Sequence, residues 1–121
     1  MGSFQIIHIP DMQRQPAACS LSQAQWVVDH MTSNNIAFVV ATGHLIENNP
    51  ASTPAAILIE WQNVKAAFAL LSGVVPFATI PGNHDLLDGP SDYTANFPLQ
   101  IGYAWHGGAA ADNLSSYQLF T

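Results

Sequence analysis

The stretch VPFATIPGNHDLLDG, residues 75–89, joins a short apolar run to a polar turn. The apolar run predicts a buried β-strand, and the Pro-Gly pair after it predicts a tight turn that ends the strand. Asn83, His84 and Asp85 come next, and each can bind a metal or a phosphate. A strand that carries such a cluster at its carboxyl end is typical of ligand sites in open α/β sheets. An ordinary turn, in which Asn and Asp bond their own backbone, explains this stretch equally well on its own.

The rest of the chain alternates strand-like and helix-like segments. Apolar runs at residues 4–10 and 36–43 predict two further strands. Residues 20–35 have helical spacing, with Ser20 or Ser22 as the N-cap, and residues 53–73 predict a second helix with Thr53 as its N-cap and Gly73 as its end. This β-α-β-α-β order predicts an α/β fold with a parallel sheet and right-handed crossovers. Residues 86–113 lack a clear period and predict a long loop, and residues 115–120 are β-like.

Composition excludes several classes of function. The 121 residues suit a single domain, and 8% of them are charged, compared with roughly 25% in typical soluble proteins. Arg14 and Lys65 are the only basic residues, and the net charge is −6. No basic surface for nucleic acid or for anionic membranes can be built from two cations. No apolar run reaches the about 18 residues of a membrane-spanning helix.

Two short features carry little functional information. Cys19 is the only cysteine, so an internal disulfide is excluded, and we expect a buried, inert thiol. Asn113-Leu114-Ser115 fits the N-glycosylation sequon, a three-residue pattern that is common by chance. The sequence assigns no compartment, with an exported or extracellular location slightly favoured over a cytoplasmic one.

Polar residues follow all three predicted strands. In a parallel sheet the three carboxyl ends lie at one edge, so these residues should converge. Oxygen donors and imidazoles together suit first-row divalent ions such as Mn, Fe or Zn. Turn formation alone explains the Asn and Asp residues, but it explains a histidine after two strands poorly. The converging residues are Asp11 and Gln13 after the first strand, His44, Glu47 and Asn48 after the second, and Asn83 and His84 after the third.

The ordered motifs resemble those of the calcineurin-like metallophosphoesterases. These motifs are Asp-Met-Gln at residues 11–13, Gly-His-Leu-Ile-Glu-Asn at residues 43–48 and Gly-Asn-His-Asp at residues 82–85. The usual family signature is Asp-x-His, then Gly-Asp-x-x-Asp or Asn, then Gly-Asn-His-Asp or Glu. A bacterial branch with Asp-x-Gln at the first motif is the most similar. The resemblance covers nearly the whole chain and implies the first half of the family's two-sheet αββα sandwich.

The resemblance implies a role for each matching residue. Asp11 and Gln13 would bind a first metal, and Asn83 would bind a second. His84 would be catalytic, lying beside the substrate phosphate. In the family, two cations about 3.5–4 Å apart activate a water and stabilise in-line displacement at phosphorus. Gly82 and Asp85 would provide structural support, Gly82 by allowing the tight turn and Asp85 by orienting His84 or capping the next segment; Asn48 is a further candidate ligand.

The chain departs from the family pattern at two places. His44 stands where the family has an Asp that bridges both metals, and one imidazole nitrogen cannot contact two cations. A site with one metal, an altered site and complete loss of metal binding all stay open. The family's later histidine motifs have no match before residue 121, so we expect either a fragment of a longer protein or self-association of this chain. His8 is predicted as a sheet or core histidine, His30 as a helix C-terminal one and His106 as a loop histidine.

Three functions are compatible with these observations. The first is a metal-dependent phosphoesterase, weak or inactive as this chain, acting on a phosphate-ester small molecule or a phosphoprotein. The second is a degenerate, non-catalytic relative that acts as a self-assembling structural subunit. The third is a phosphate-binding module without turnover.

Overall fold

A three-stranded parallel sheet with two helical crossovers forms the centre of the molecule. The computed structural model describes residues 3–97, 104–111 and 114–119. Strands β1 (Gln5–Ile9), β2 (Ile36–Ala41) and β3 (Phe77–Thr79) are arranged in the order β1-β2-β3, and both pairs are parallel. Helices α1 (Ala17–His30) and α2 (Pro54–Leu71) connect them. The predicted β-α-β-α-β fold is therefore confirmed.

The two long helices differ in how well their ends were predicted. Helix α2 begins as expected, because the Thr53 hydroxyl accepts a hydrogen bond from Ala56 N at 3.3 Å, and Gly73 follows its end with φ 76°. The predicted start of α1 was wrong. That helix begins at Ala17 after Pro16, which makes no side-chain cap bond, and Ser20 is a buried residue inside it.

The segment predicted as one long loop contains regular structure. A 3₁₀ turn at His84–Leu86 leads into helix α3 (Pro90–Asn96). Strands β4 (His106–Ala109) and β5 (Ser116–Gln118) then pair antiparallel as a separate two-stranded sheet. The loop prediction was wrong for these residues because the elements are too short to show a period. The sequon residue Asn113 lies outside the described residues.

An aromatic cluster joins α3 to the central sheet. The Phe97 ring packs against Trp61 and Phe68 on α2, with ring centroids 5.9 and 5.6 Å apart. The Tyr93 hydroxyl donates a 2.9 Å hydrogen bond to the carbonyl oxygen of Thr79 at the end of β3. Burial of such large rings supplies much of the stability of a small core, so α3 is an integral part of the fold.

One face of α1 and the outer edge of β1 are open to solvent. Within the described residues β1 pairs only with β2, and the side chains of Phe4 and Ile6 are 59% and 52% exposed. Cys19 is exposed on α1, so the prediction of a buried thiol was wrong. No helix in the described ranges is long and apolar enough to cross a membrane.

Three histidines lie away from the strand ends of the central sheet. His8 is on β1, exposed, with its Nε2 2.7 Å from the Thr42 hydroxyl. His30 ends α1, where its ring stacks on Trp26 at 4.5 Å. His106 begins β4, so its prediction as a loop residue was wrong.

Candidate active site at the strand ends

The loops that follow β1, β2 and β3 meet at one edge of the sheet, as parallel pairing requires. Met12 N donates a 2.9 Å hydrogen bond to His44 O, which links the first loop to the second. The second and third loops touch through two glycines. A Cβ on Gly43 would lie 2.5 Å from Gly82 N, and one on Gly82 would lie 2.4 Å from Cδ2 of His44. Both positions therefore require glycine.

The His44 side chain occupies the centre of the cluster. Its Nδ1 lies 3.1 Å from Asp11 Oδ2, and its Nε2 lies 2.5 Å from Asn83 Oδ1. Asp11 Oδ2 and Asn83 Oδ1 can each accept a hydrogen bond, so this arrangement favours the form of the ring in which both nitrogens carry a proton. The hydrogen bond to Asn83, followed by that to Asp11, raises the pKa of the His44 imidazole. His44 has φ 51°, a left-handed backbone conformation that is uncommon for residues other than glycine.

Asp85 connects the second and third loops from the interior of the protein. Its side chain is fully buried, with Oδ1 accepting from Leu45 N at 2.8 Å and Ile46 N at 3.0 Å, and Oδ2 accepting from Gly82 N at 2.7 Å. Burial raises the pKa of the Asp85 carboxyl, and the three N–H bonds act in the opposite direction. Asp85 thus holds the loops together, whereas the alternatives expected from sequence were orientation of His84 or capping.

Gln13 lies next to this cluster and is held by Glu47. Gln13 Nε2 donates to Glu47 Oε2 at 2.8 Å, and the Arg14 guanidinium donates to Glu47 Oε1 at 2.8 Å. The hydrogen bond from Arg14 is the main reason why the pKa of Glu47 is lowered. The other amide atom, Gln13 Oε1, is buried and has no hydrogen-bond partner among the described residues.

His84 is oriented by the backbone of the second loop. Its Nδ1 donates to the carbonyl oxygen of Glu47, and its ring meets the His44 ring edge-on, with centroids 5.3 Å apart. This contact leaves Nε2 as the ring nitrogen that can face a ligand. The arrangement can therefore place one imidazole nitrogen beside a bound group.

The remaining candidate, Asn48, is engaged elsewhere. It is buried, and its Nδ2 donates to Asp88 Oδ2 at 2.9 Å. Glu60 on α2 accepts from Glu47 N and Asn48 N, both at 3.1 Å, and so fixes the second loop. The sequence reasoning missed the contributions of Arg14 and Glu60. Arg14 could have been noticed as one of two cations and the direct neighbour of Gln13, but nothing in the sequence points to Glu60.

The three motifs therefore meet in space in the way that a shared site requires. A family comparison matches residues 4–118 to the calcineurin-like phosphoesterases. The chain belongs to the calcineurin-like phosphoesterase family. The match is to the family as a whole, so the bacterial Asp-x-Gln branch and the half-domain interpretation stay predictions. Searches of curated proteins and of solved structures gave no significant match.

Calcineurin-like phosphoesterases are typically metal-dependent, but a pair of divalent ions does not fit the side chains as they are arranged here. The described residues contain no group of three or more His, Cys, Asp and Glu side chains that could hold a metal. Asp11 and Asn83, which the family resemblance assigns to two different metals, both contact the His44 ring. Gln13 Oε1 is the one buried oxygen of the motif left without a partner. The donors that would form the metal shell are thus largely used by one another.

Proposed function

We propose that this chain is a phosphoesterase-family domain that hydrolyses phosphate esters weakly or not at all. Membership of the family makes phosphate-ester hydrolysis the reaction to test, with a small phosphate ester or a phosphoprotein as the substrate class. Mn, Fe or Zn are the ions that its donor types would suit.

The observation that supports this proposal is the position of His44. Its ring stands between Asp11 Oδ2 and Asn83 Oδ1, at 3.1 and 2.5 Å. Hydrolysis by the two-metal mechanism needs cations that clamp the phosphate and lower the pKa of a bound water. Because His44 uses the oxygens that those cations would need, the chain lacks the main source of rate acceleration in its family.

Hydrolysis of a generic aryl phosphate in excess Mn²⁺ tests the proposal. We expect the wild-type chain and Asn83→Ala to release phenolate at the same slow rate, since Asn83 supports no metal-dependent step. Gln62→Ala is a suitable control because Gln62 is exposed on α2. Mn²⁺-dependent turnover that is lost in Asn83→Ala and kept in Gln62→Ala would show that the chain is an efficient enzyme after all.

A second candidate function, a self-assembling structural subunit, is favoured by the open edge of β1. Ile6 on β1 and Phe4 directly before it are exposed, and an open edge strand is a template for pairing with another strand. An adjoining groove of about 340 Å³ lies between β1 and α1. We propose that a second copy of the chain pairs with β1 in antiparallel register, because a two-fold axis lets one edge serve both copies. The apolar residues lining the groove are Ile7, Ile9, Pro10, Trp26 and Val27.

Sedimentation velocity over a range of concentrations tests this second candidate. Ile6→Lys should shift the wild-type oligomer toward monomer, because a charge on an edge strand opposes pairing. Leu58→Lys is a matched control, since Leu58 on α2 is 55% exposed and Ile6 is 52% exposed. A wild-type chain that stays monomeric at all concentrations, or an equal effect of both variants, would rule out assembly through β1.

A further inference from the structure

We propose that the His44 side chain takes the place of a metal in this family site, joining Asp11 to Asn83 without an ion. The inference rests on the proposed function, because it takes the strand-end residues to be the family's site. Beyond that function, the His44 side chain is what holds the residues of the site together. A ring that contacts the loops after β1 and β3 from the loop after β2 performs the structural task of a bridging cation.

The side chain of Asp11 is 55% exposed, but both of its carboxylate oxygens already accept hydrogen bonds. Asp11 Oδ2 contacts His44 Nδ1 at 3.1 Å, and Asp11 Oδ1 accepts from Gln13 N at 3.0 Å. Asn83 contributes its single side-chain oxygen to His44 Nε2 at 2.5 Å. An ion placed between these residues would have to displace the ring from both of them. Metal binding therefore competes directly with bonds that the folded chain already makes.

The backbone that carries the ring is also held by its surroundings, which limits where the ring can move. The backbone carbonyl of His44 accepts from Met12 N at 2.9 Å, and the next two N–H groups are bound by the buried Asp85. Cδ2 of His44 lies against the α-carbon of Gly82, where even a methyl group would approach to 2.4 Å. The His44 backbone and one edge of its ring are thus both in contact with the neighbouring loops.

Metal binding without substrate tests this inference separately from turnover. Calorimetry and thermal unfolding would be measured with MnCl₂ and with EDTA for wild type, His44→Asp and the control Gln62→Asp. Gln62→Asp adds one carboxylate on the exposed surface of α2. We expect EDTA and Mn²⁺ to leave the wild-type and Gln62→Asp melting temperatures unchanged. His44→Asp should bind Mn²⁺ at least tenfold more tightly than either, because it removes the competing ring and adds oxygen donors.

Each outcome decides between the alternatives. Equal or weaker Mn²⁺ binding by His44→Asp, or a wild-type melting temperature that falls in EDTA, would overturn the inference. Should His44→Asp fail to fold, the wild-type titration decides alone, since saturable Mn²⁺ binding at micromolar concentration contradicts a ring that occupies the metal position. Mn²⁺ binding without turnover overturns only this inference. Turnover that persists in EDTA overturns only the proposed weak or absent hydrolysis.

Discussion

Asp85 shows how one buried carboxylate can organise two loops. Isolated burial of a carboxylate is unfavourable, but here three backbone N–H groups point at its two oxygens. Those N–H groups belong to Gly82, which lies against the His44 ring, and to Leu45 and Ile46, which follow His44 in the chain. The position of His44 therefore depends on the buried carboxylate of Asp85. Loop geometry at this site is set from the protein interior.

We expect Asp85→Asn to destabilise the fold by about 1–3 kcal/mol, the cost of leaving a buried polar group without its partner. The amide offers only one oxygen, so its NH₂ must face either Gly82 N or the N–H groups of Leu45 and Ile46. Urea unfolding measures the loss. Asp88→Asn is the control, because Asp88 is exposed and its bond to Asn48 needs a single oxygen. Equal effects of the two substitutions would contradict the proposed role of Asp85.

The ion pair between Arg14 and Glu47 predicts a dependence of stability on pH. The hydrogen bond from Arg14 lowers the pKa of Glu47 in the folded chain. A lowered folded-state pKa gives stability that is present above the unfolded-state value of about 4.3 and lost as the pH falls through the folded-state value. The stability difference between wild type and Glu47→Gln should thus be constant from about pH 5 to 7 and shrink below about pH 4.

Urea titrations of both proteins across this pH range measure that difference. The effect should be small because Arg14 is exposed and solvent screens the pair. Arg14→Gln removes the cause of the pKa shift, so in that background the dependence on pH should weaken. A difference between wild type and Glu47→Gln that grows as the pH falls would contradict this account.

Helix α3 is the element whose contribution to the stability of the fold can be tested most directly. Phe97 follows its last turn, is 4% exposed and packs against Trp61, Phe68 and Tyr93. Phe97→Ala should lower the free energy of unfolding by about 3–5 kcal/mol, as expected for a large ring removed from a core. Leu58→Ala, at an exposed position of α2, is the control. Losses of similar size in the two variants would show that α3 is only loosely attached.

The central sheet and its helices could be predicted because their patterns are long. The 18-residue helix α2 has an N-cap, a helical period of apolar residues and a terminating glycine that can all be recognised in the sequence. Strand β2 is recognisable as a continuous apolar run. Helix α3 has seven residues and β4 has four, which is too short for a period to be recognised. Their structure comes from tertiary contacts, such as that of Tyr93 with Thr79. Short elements that depend on packing are not visible in a local sequence pattern.

The sequence predicts that the site residues lie close together, but it does not predict which of their atoms are in contact. Parallel strands bring their carboxyl ends to one edge, so Asp11, His44 and Asn83 had to approach one another. Which atoms meet depends on side-chain rotamers and on loop conformations, including the positive φ of His44. The bond between His44 and Asn83 spans 39 positions in the chain. No local pattern carries information about such a contact.

At the scale of the whole molecule, apolar surface and net charge act in opposite directions. The chain carries a net charge of −6 with only two basic residues, so two copies repel each other. The exposed side chains of Phe4 and Ile6 favour association at a strength of about 25 cal/mol for each Å² of apolar surface buried. Salt weakens the repulsion, since the screening length falls from about 30 Å at 0.01 M to about 8 Å at 0.15 M. Salt does not weaken apolar burial.

Self-association should therefore become stronger as NaCl is raised from about 0.01 M to 0.5 M, where most of the charge repulsion is screened. Sedimentation equilibrium at several salt concentrations would measure the dimer constant. Ile6→Lys should stay dissociated at each of them, because pairing at β1 would bury the added charge and screening cannot restore the lost apolar contact. A wild-type dimer that dissociates as salt rises would instead point to ion pairing between copies, in which the exposed Lys65 on α2 is one of the chain's two Lys and Arg residues.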